Sequence, residues 1–587
     1  MPRHFTTDDP HYTLYGYLSD RVVPFEAASQ MLVDKLTPEY GGVIYHARAI
    51  KAENEFGCTL QLLHLAGRHK KTLEYAVFYG DASQLPKLDA RRPRFVDVTE
   101  TSGISIAQNT DVGGTNPHGV AVEDFNGDGH LDVIITTFGA PYVRYFTGNG
   151  DLTFRDVTRG SGLEGFGGEG TGAAVADFDR DGHLDVYLTA LRSGASGLYR
   201  GKGDGTFTDV SRAAGVLWDR PARSCAASDV DGDGWLDLYV TSPEGANALF
   251  RNQRNGTFTD IAKLAGVALA DRHSLGCAFG DCDGDGRDDL FVTNYQSQVS
   301  ALFKNLGDGN FRDITAEAGL NRKASAVGCV LADVFRQGRL DLFVTTDSWL
   351  SGVNATEPEL LAQGNTVEPN LLYRNNGQGR FTPAADETLK HKTLSHDAVL
   401  EDLDHDGQID LYAAVDAIPT GNRFATHKGG NPSWRREGIA WQKVEDAWGI
   451  NHQGNCVCAP AADFDGDGDL DLLLVNFYSN VIVYRNETND KNWLQIRAKG
   501  TKSNPNGIGA KVRVTALRDG REELAGFRQI QSGAGYARSS PLVAHIGLGA
   551  SPAANYRVEV IFPGTNQRVV KHEVTPGQRL TIAEPAE

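Results

Sequence analysis

DFNGDGHLD (Asp124–Asp132), DFDRDGHLD (Asp177–Asp185), DVDGDGWLD (Asp229–Asp237), DCDGDGRDD (Asp281–Asp289), DVFRQGRLD (Asp333–Asp341), DLDHDGQID (Asp402–Asp410) and DFDGDGDLD (Asp463–Asp471) are seven versions of one acidic loop. Successive copies start 53, 52, 52, 52, 69 and 61 residues apart. Self-similarity at a period of about fifty residues marks a repeat architecture, in which each repeat is one supersecondary unit. The copy at Asp281 shows four strand signals in order: GCAFGD before the loop, DLFVTN after it, then SALFKN, then FRDITAEAGL. Four strands per repeat predict the blade of a β-propeller.

The spacing of carboxylates says what the loops are expected to hold. A hard dication takes six to eight oxygens, and acidic residues at alternate positions of a tight loop supply them. Side chains at positions 1, 3, 5 and 9, with the backbone carbonyl at position 7, form the expected calcium set. In the first copy these are Asp124, Asn126, Asp128, His130 (carbonyl) and Asp132; in the second, Asp177, Asp179, Asp181, His183 and Asp185. The third offers Asp229, Asp231, Asp233, Trp235 and Asp237, and the fourth Asp281, Asp283, Asp285, Arg287 and Asp289. The sixth offers Asp402, Asp404, Asp406, Gln408 and Asp410, and the seventh Asp463, Asp465, Asp467, Asp469 and Asp471. Phe335 and Gln337 replace the carboxylates in the fifth copy, which is expected to be empty with Phe335 packing locally. About six Ca2+ ions are therefore expected. An EF-hand would need a Glu at position 12 and flanking helices; Ile135, Leu188, Val240 and Val292 stand there, inside β-branched runs.

A fourth-strand motif, an aromatic followed eight residues later by Gly, recurs at Phe154, Phe207, Phe258, Phe311 and Trp441. The seventh repeat lacks it, while an extra copy, FVDVTETSGI from Phe95, precedes the first loop. That segment is expected to cross the ring and complete the seventh blade, removing two exposed sheet edges. The domain boundaries that follow are an α+β segment at 1–92, a seven-bladed propeller at 93–490 and a small β domain at 491–587. The first segment is expected to hold a helix at 24–36 and strands at 43–50, 57–65 and 72–79, and would serve for homodimerisation, capping or shaping a site.

The repeated loops resemble those of FG-GAP/VCBS propellers, including that of integrin α subunits. NWLQIRAKGTKSNPNGIGAKVRV, with IQSGAGYARSSPLVAHIGLG and YRVEVIFPG, resembles the ASPIC/UnbV domain. Together they resemble the cartilage acidic protein family over about residues 95–583, with the first 90 residues outside the resemblance. That family implies secretion, whereas MPRHFTTDDPHYTLYGYLSD lacks an apolar leader, so the sequence as given is expected to be cytoplasmic, or secreted if a leader was removed. In the SNPNGIGA and SGAGY turns, glycines are expected to satisfy turn geometry, with Tyr536 and His545 as candidates for a binding surface.

The formal charge of −19 falls to about −7 with six calcium ions bound, an ordinary surface value. Neither nucleic acid nor membrane is expected as a partner. Cys225, Cys277 and Cys329, each four residues before its loop, are expected to be buried packing thiols. Cys456 and Cys458 alternate on a strand and would point the same way, but no matching His/Cys pair completes a metal site.

Six residues before each loop stand His118, Thr171, Arg223, Leu275, Val327, His396 and Val457. These are expected to ring the channel mouth opposite the calcium loops, with His273 and Asp397 adjacent in sequence. His118, Arg223, His396, His273 and Asp397 are thus the candidate catalytic residues, imidazole serving proton transfer and arginine an oxyanion. Extended links after the second strands of repeats five and six, carrying Trp349, Arg423, His427, Trp434, Arg435 and Arg436, are expected to roof the same mouth. No Walker, Rossmann, HExxH or GxSxG signature is present. Two function classes remain open. One is an enzyme of lyase, cyclase or alkylating type acting on a small organic molecule without an organic cofactor. The other is a non-catalytic, calcium-dependent scaffold for a protein or glycan ligand.

Overall fold

The computed structural model describes the strands within residues 43–78 and residues 95–586, apart from 107–115, 348–368, 385–394, 416–429 and positions 453, 478, 519 and 534. Two compact units emerge, Met1–Ala90 and Arg91–Glu587. The first contains an antiparallel sheet of Val43–Asn54, Gly57–Ala66 and His69–Phe78. The helix expected at 24–36 lies outside the described residues.

The second unit is mainly β. Each repeat folds into one antiparallel sheet of four strands in sequence order, as in the fourth: Ser274–Gly280, Asp289–Asn294, Ala301–Gly307 and Asn310–Asp313. Among the described residues seven such sheets are present, blades 1 to 7 in chain order. Their innermost strands neighbour one another in chain order, and the seventh returns to Pro117–Glu123 of the first. The seventh sheet takes its outer strand from the other end of the chain: Phe95–Asp97 pairs with Ile482–Asn486, Phe95 opposite Asn486. Ile135, Leu188, Val240 and Val292 all lie in strands, so the loops join hairpins and are not EF-hands.

Apolar faces of adjacent sheets interlock. Between blades 3 and 4, Tyr239, Cys277, Phe279, Val292 and Phe303 form one buried cluster. Threonines in or just after the second strands staple blades 3, 4 and 5 each to the next. Thr241 donates to the carbonyl of Leu275 (2.6 Å), Thr293 to that of Val327 (2.6 Å) and Thr345 to that of His396 (2.9 Å). Cys225, Cys277 and Cys329 are buried free thiols within these packings. Cys456 and Cys458 do not share a side. A register shift between them sends Cys456 into the core with Tyr412 and Trp448 and Cys458 into the core with Val120 and Tyr536.

The tail adds a three-stranded sheet (Ala544–Gly547, Trp493–Lys499, Gln578–Ala583) and a four-stranded one (Arg521–Gln529, Lys511–Arg518, Tyr556–Ile561, Arg568–Val574). Its apolar core, including Ile496, Val512 and Val558, runs unbroken into Phe178 and Leu236 of the propeller.

Candidate functional site

The acidic loops share one backbone plan. The position-9 carboxylate is a backbone clamp: Asp132 accepts from the N–H of Phe125 (3.1 Å) and of Gly148 (3.0 Å). Asp237 does so from Val230 and Asn252, and Asp471 from Phe464 and Asn486. Asp341 still accepts two backbone bonds in the degenerate fifth loop, there from the position-3 N–H of Phe335 and from Asn375, so this residue has a folding role separate from ligation. Carboxylate oxygens of Asp177, Asp179 and Asp185, of Asp229, Asp231 and Asp237, of Asp281, Asp283 and Asp285, and of Asp402, Asp404 and Asp410 lie within 4.8 Å of one another. Burial pushes Asp229 and Asp404 up to about 7 and Asp289 up to about 8, with neighbouring loop carboxylates adding to the shift. Asp231 Oδ1 and Asp463 Oδ1 are buried without a hydrogen-bond partner among the described residues. Buried, converging and partly unpartnered oxygens are a donor set that fits a hard dication. In the fifth loop Phe335 is covered by the guanidinium groups of Arg374 (4.0 Å) and Arg436 (4.9 Å).

Position 4 of every loop takes left-handed backbone, which favours glycine. Glycine stands there in four copies; Arg180 (φ 59°), Arg336 (φ 50°) and His405 (φ 54°) stand in the others. Each of those three side chains reaches the tail. Arg180 donates to the carbonyls of Thr501 and Ser503, Arg336 to that of Leu524 (2.8 Å), and His405 Nε2 lies 3.2 Å from His545 Nε2. Further ion pairs join the same surfaces: Arg497 to Glu123 (3.2 Å), Arg528 to Glu401 (3.1 Å), Lys511 to Asp281 and Arg579 to Asp463. The tail therefore docks on the loop face of the propeller. Sequence reasoning missed this; the signal was the substitution of bulky residues where the backbone asks for glycine.

From that face the segment Gln529–Ser539 runs into the central channel. The Ser532 hydroxyl donates to the Val175 carbonyl (2.6 Å), and Ser532 O accepts from Ala227 N–H (3.2 Å). Gln531 donates to Phe279 O (2.9 Å), Ala537 O accepts from Val120 N–H (2.9 Å), and Arg538 donates to Ala398 O (2.7 Å). Arg538–Ser539 adds a short parallel strand to blade 1. Glycines five residues before the loops make room: a Cβ on Gly276 would sit 2.8 Å from Gly535 O, and one on Gly328 3.1 Å from the Tyr536 Cβ.

The predicted mouth residues do converge, and Tyr536 occupies the space between them. Its ring centroid lies 5.7 Å from that of His118 and 5.9 Å from that of His396, and its hydroxyl accepts from Arg223 Nη1 (3.3 Å). Leu275, Val327 and Val457 close the same cluster. His118 is 5% exposed, stacked on Phe138, with Nδ1–H donated to the Thr171 carbonyl (2.9 Å). Burial, then the Arg223 charge, holds both imidazoles below the usual histidine range, His396 at about 4. Asp397 faces Arg538 (2.6 Å), not the mouth histidines. His273 is held apart by the Pro243 carbonyl (2.7 Å). Cavities among the described residues include one lined by Asp333, Arg336, Asp402 and Arg528 that holds about 10 Å3, room for about one water.

Several expectations need correction. Tyr536 and His545 lie on no surface; both are buried, at 4% exposure each. Trp434, Arg435 and Arg436 belong to the third strand of blade 6, Ser433–Glu437, not to a roofing loop. Trp434 is core, and Arg435 pairs with Asp404 and Asp406. Trp349, Arg423 and His427 lie outside the described residues. SNPNGIGA and SGAGY do supply left-handed glycines, such as Gly509 (φ 89°) and Gly535 (φ 101°).

Residues 124–188, 185–240, 229–292 and 281–344 match the FG-GAP-like repeat, and residues 500–587 match ASPIC and UnbV. The chain is an FG-GAP-repeat protein carrying a C-terminal ASPIC/UnbV domain. It is related to cartilage acidic protein 1: 26% identical to that of Xenopus tropicalis, covering 84% of this chain and 77% of the relative, and 25% identical to that of Homo sapiens, covering 80% and 71%. Similar solved structures include a DUF4623 family protein from Bacteroides eggerthii (11% identity, 76% of this chain and 88% of that one, TM-score 0.27) and a protein from Lactobacillus plantarum (10%, 78% and 96%, 0.31). Among the described residues no helix is long and apolar enough to cross a membrane. The relatives lend no support to the cytoplasmic expectation.

Proposed function

We propose that this protein is a non-catalytic, calcium-dependent binding scaffold for a protein or glycan ligand. Six loops would hold calcium through their position-1, 3, 5 and 9 side chains and position-7 carbonyl. The ion would supply charge neutralisation and rigidity, since cations that bind only the folded state stabilise it. The observation that carries the scaffold reading is Tyr536. The residues an acid–base enzyme would use are packed around this side chain of the same molecule. A general base works best with a pKa near the operating pH, and His396 at about 4 is far below it. The relatives' name, cartilage acidic protein, indicates no lyase or cyclase.

The test is binding to arrays of glycans and purified proteins, in Ca2+ and after chelation, with His118→Ala and His396→Ala beside the wild type. Calcium-dependent capture that survives both substitutions supports the scaffold. Turnover of a small molecule that disappears with either histidine would return the mouth to catalysis.

A further inference from the structure

Where blades 6 and 7 meet the tail, four titratable side chains from separate parts of the chain are gathered. His405 comes from the sixth loop, Asp469 from the seventh, and Asp490 from the link into the strand Trp493–Lys499; His545 stands on the strand Ala544–Gly547. His405 Nδ1 lies 2.9 Å from Asp490 Oδ1 and 3.7 Å from Asp469 Oδ1. The three ligand atoms all lie within 4.8 Å of one another. We propose that His405, Asp469 and Asp490 form a transition-metal site of the Zn2+ class, separate from the repeat loops, that clamps the tail to the propeller.

The repeat-loop chemistry does not account for these groups. His405 is at position 4, which supplies no ligand to its loop. Asp469 is at position 7, where only the carbonyl is needed, so its carboxylate is free to face elsewhere. That carboxylate is fully buried, and its Oδ1, the oxygen turned towards His405, has no hydrogen-bond partner among the described residues. Its Oδ2 accepts from the Asn489 N–H (2.5 Å), but a buried carboxylate oxygen left without a partner is costly unless a cation meets it. Two carboxylates and a neutral imidazole would leave the site electrically balanced around a divalent ion.

Donor type selects the ion. Imidazole suits zinc and its neighbours, whereas calcium and magnesium take oxygen ligands. Donors about 2.0–2.1 Å from a tetrahedral zinc sit roughly 3.4 Å apart, between the two spacings measured from His405 Nδ1. With Nδ1 on the metal, His405 would carry its proton on Nε2 and donate it to His545 Nε2, 3.2 Å away. An outer partner on the far ring nitrogen is the usual companion of a metal-bound histidine. The left-handed backbone of His405 (φ 54°) fits the same picture, since a histidine there must be held by what its side chain touches.

The experiment uses the full chain, stripped of metal and returned to excess Ca2+, then titrated with Zn2+ by calorimetry and with Co2+ by visible absorption. One Zn2+ per chain is expected, with tetrahedral Co2+ bands and a raised melting temperature. His405→Gly removes the ligand and relieves the backbone; Asp490→Asn keeps the shape of its side chain. Either should weaken Zn2+ by more than about 100-fold, beyond the range for loss of an outer-shell partner, while the melting temperature without zinc stays near that of the wild type. A wild type that takes up no Zn2+ in excess Ca2+ would reduce the cluster to an ion pair and overturn the proposal. So would wild-type Zn2+ affinity in both variants.

Discussion

Replacing Tyr536 with alanine tests whether the tail segment fills the channel. The ring is 4% exposed and is packed by His118, His396, Val327 and Val457. An aromatic side chain buries about 150–250 Å2, worth roughly 4–6 kcal/mol at 25 cal/mol per Å2 as an upper bound. Truncations of large aromatic side chains in cores cost about 3–5 kcal/mol, so about 4 kcal/mol is expected. The hydroxyl contributes the smaller part: its bond from Arg223 is long at 3.3 Å, and Tyr536→Phe should cost about 1 kcal/mol. The assay is guanidinium denaturation in Ca2+, with diethyl pyrocarbonate labelling of the native protein read by mass spectrometry. In the wild type His118 and His396 should be protected; in Tyr536→Ala both should label. A Tyr536→Ala protein of unchanged stability, or wild-type histidines that label at the rate of exposed His130, would refute the plugged channel.

Metal analysis after equilibrium dialysis should find six calcium ions in the loops, and chelation should lower the melting temperature. Each site held at 100 times its Kd contributes about 2.7 kcal/mol; a chain without bound calcium would sink the scaffold reading. Gly276→Ala places a Cβ 2.6 Å from Val327 O and 2.8 Å from Gly535 O, both backbone. Overpacking of this kind costs about 1–3 kcal/mol and should speed proteolysis within 529–539; unaltered cleavage would count against the segment's path. Because His396 is held at about 4 against an ordinary 6.5, the unfolded chain takes up its proton first. Stability from the neutral ring is complete above about pH 6.5 and is lost as pH falls towards 4, by roughly 3 kcal/mol. Arg223, His118 and Tyr536 face the ring, so His396→Gln should lessen the slope of that part of the melting profile, the depressed His118 keeping the remainder, and an unchanged profile would contradict the burial.

The ring was legible because its determinants are local and repeated. Loop spacing placed the hairpins, and the displaced FVDVTETSGI placed the closing strand against Ile482–Asn486. The six-residue offset from each loop also identified which side chains converge at the mouth. What fills the mouth was not legible, because Tyr536 lies 313 residues from Arg223 in sequence and no periodicity links them. Traces existed nonetheless. Gly276 and Gly328 stand where a Cβ would meet the inserted segment, and Arg180, Arg336 and His405 break a glycine position only where they touch the tail. The strand carrying Trp434 and Arg435 follows a long insertion, which masks its alternation in the sequence.

The tail changes the kind of stability a propeller can have. Blades stacked around an axis touch mainly their neighbours, so a bare ring approaches the behaviour of a repeat array, able to open wherever one interface is weakest. The segment 529–539 bonds to innermost strands of blades 1, 2, 3, 4 and 6 at once, and the tail core is continuous with Phe178 and Leu236. Opening one blade must then break contacts that serve several others. The intact chain should unfold residues 91–587 in one transition seen alike by fluorescence and circular dichroism. A chain ending before Trp493 would bare Phe178, Leu236 and the channel glycines, and should melt earlier and in more than one step. If that truncated protein melts as sharply and at the same temperature as the full chain, the blades need no axle, and the inserted segment is an ornament of the fold.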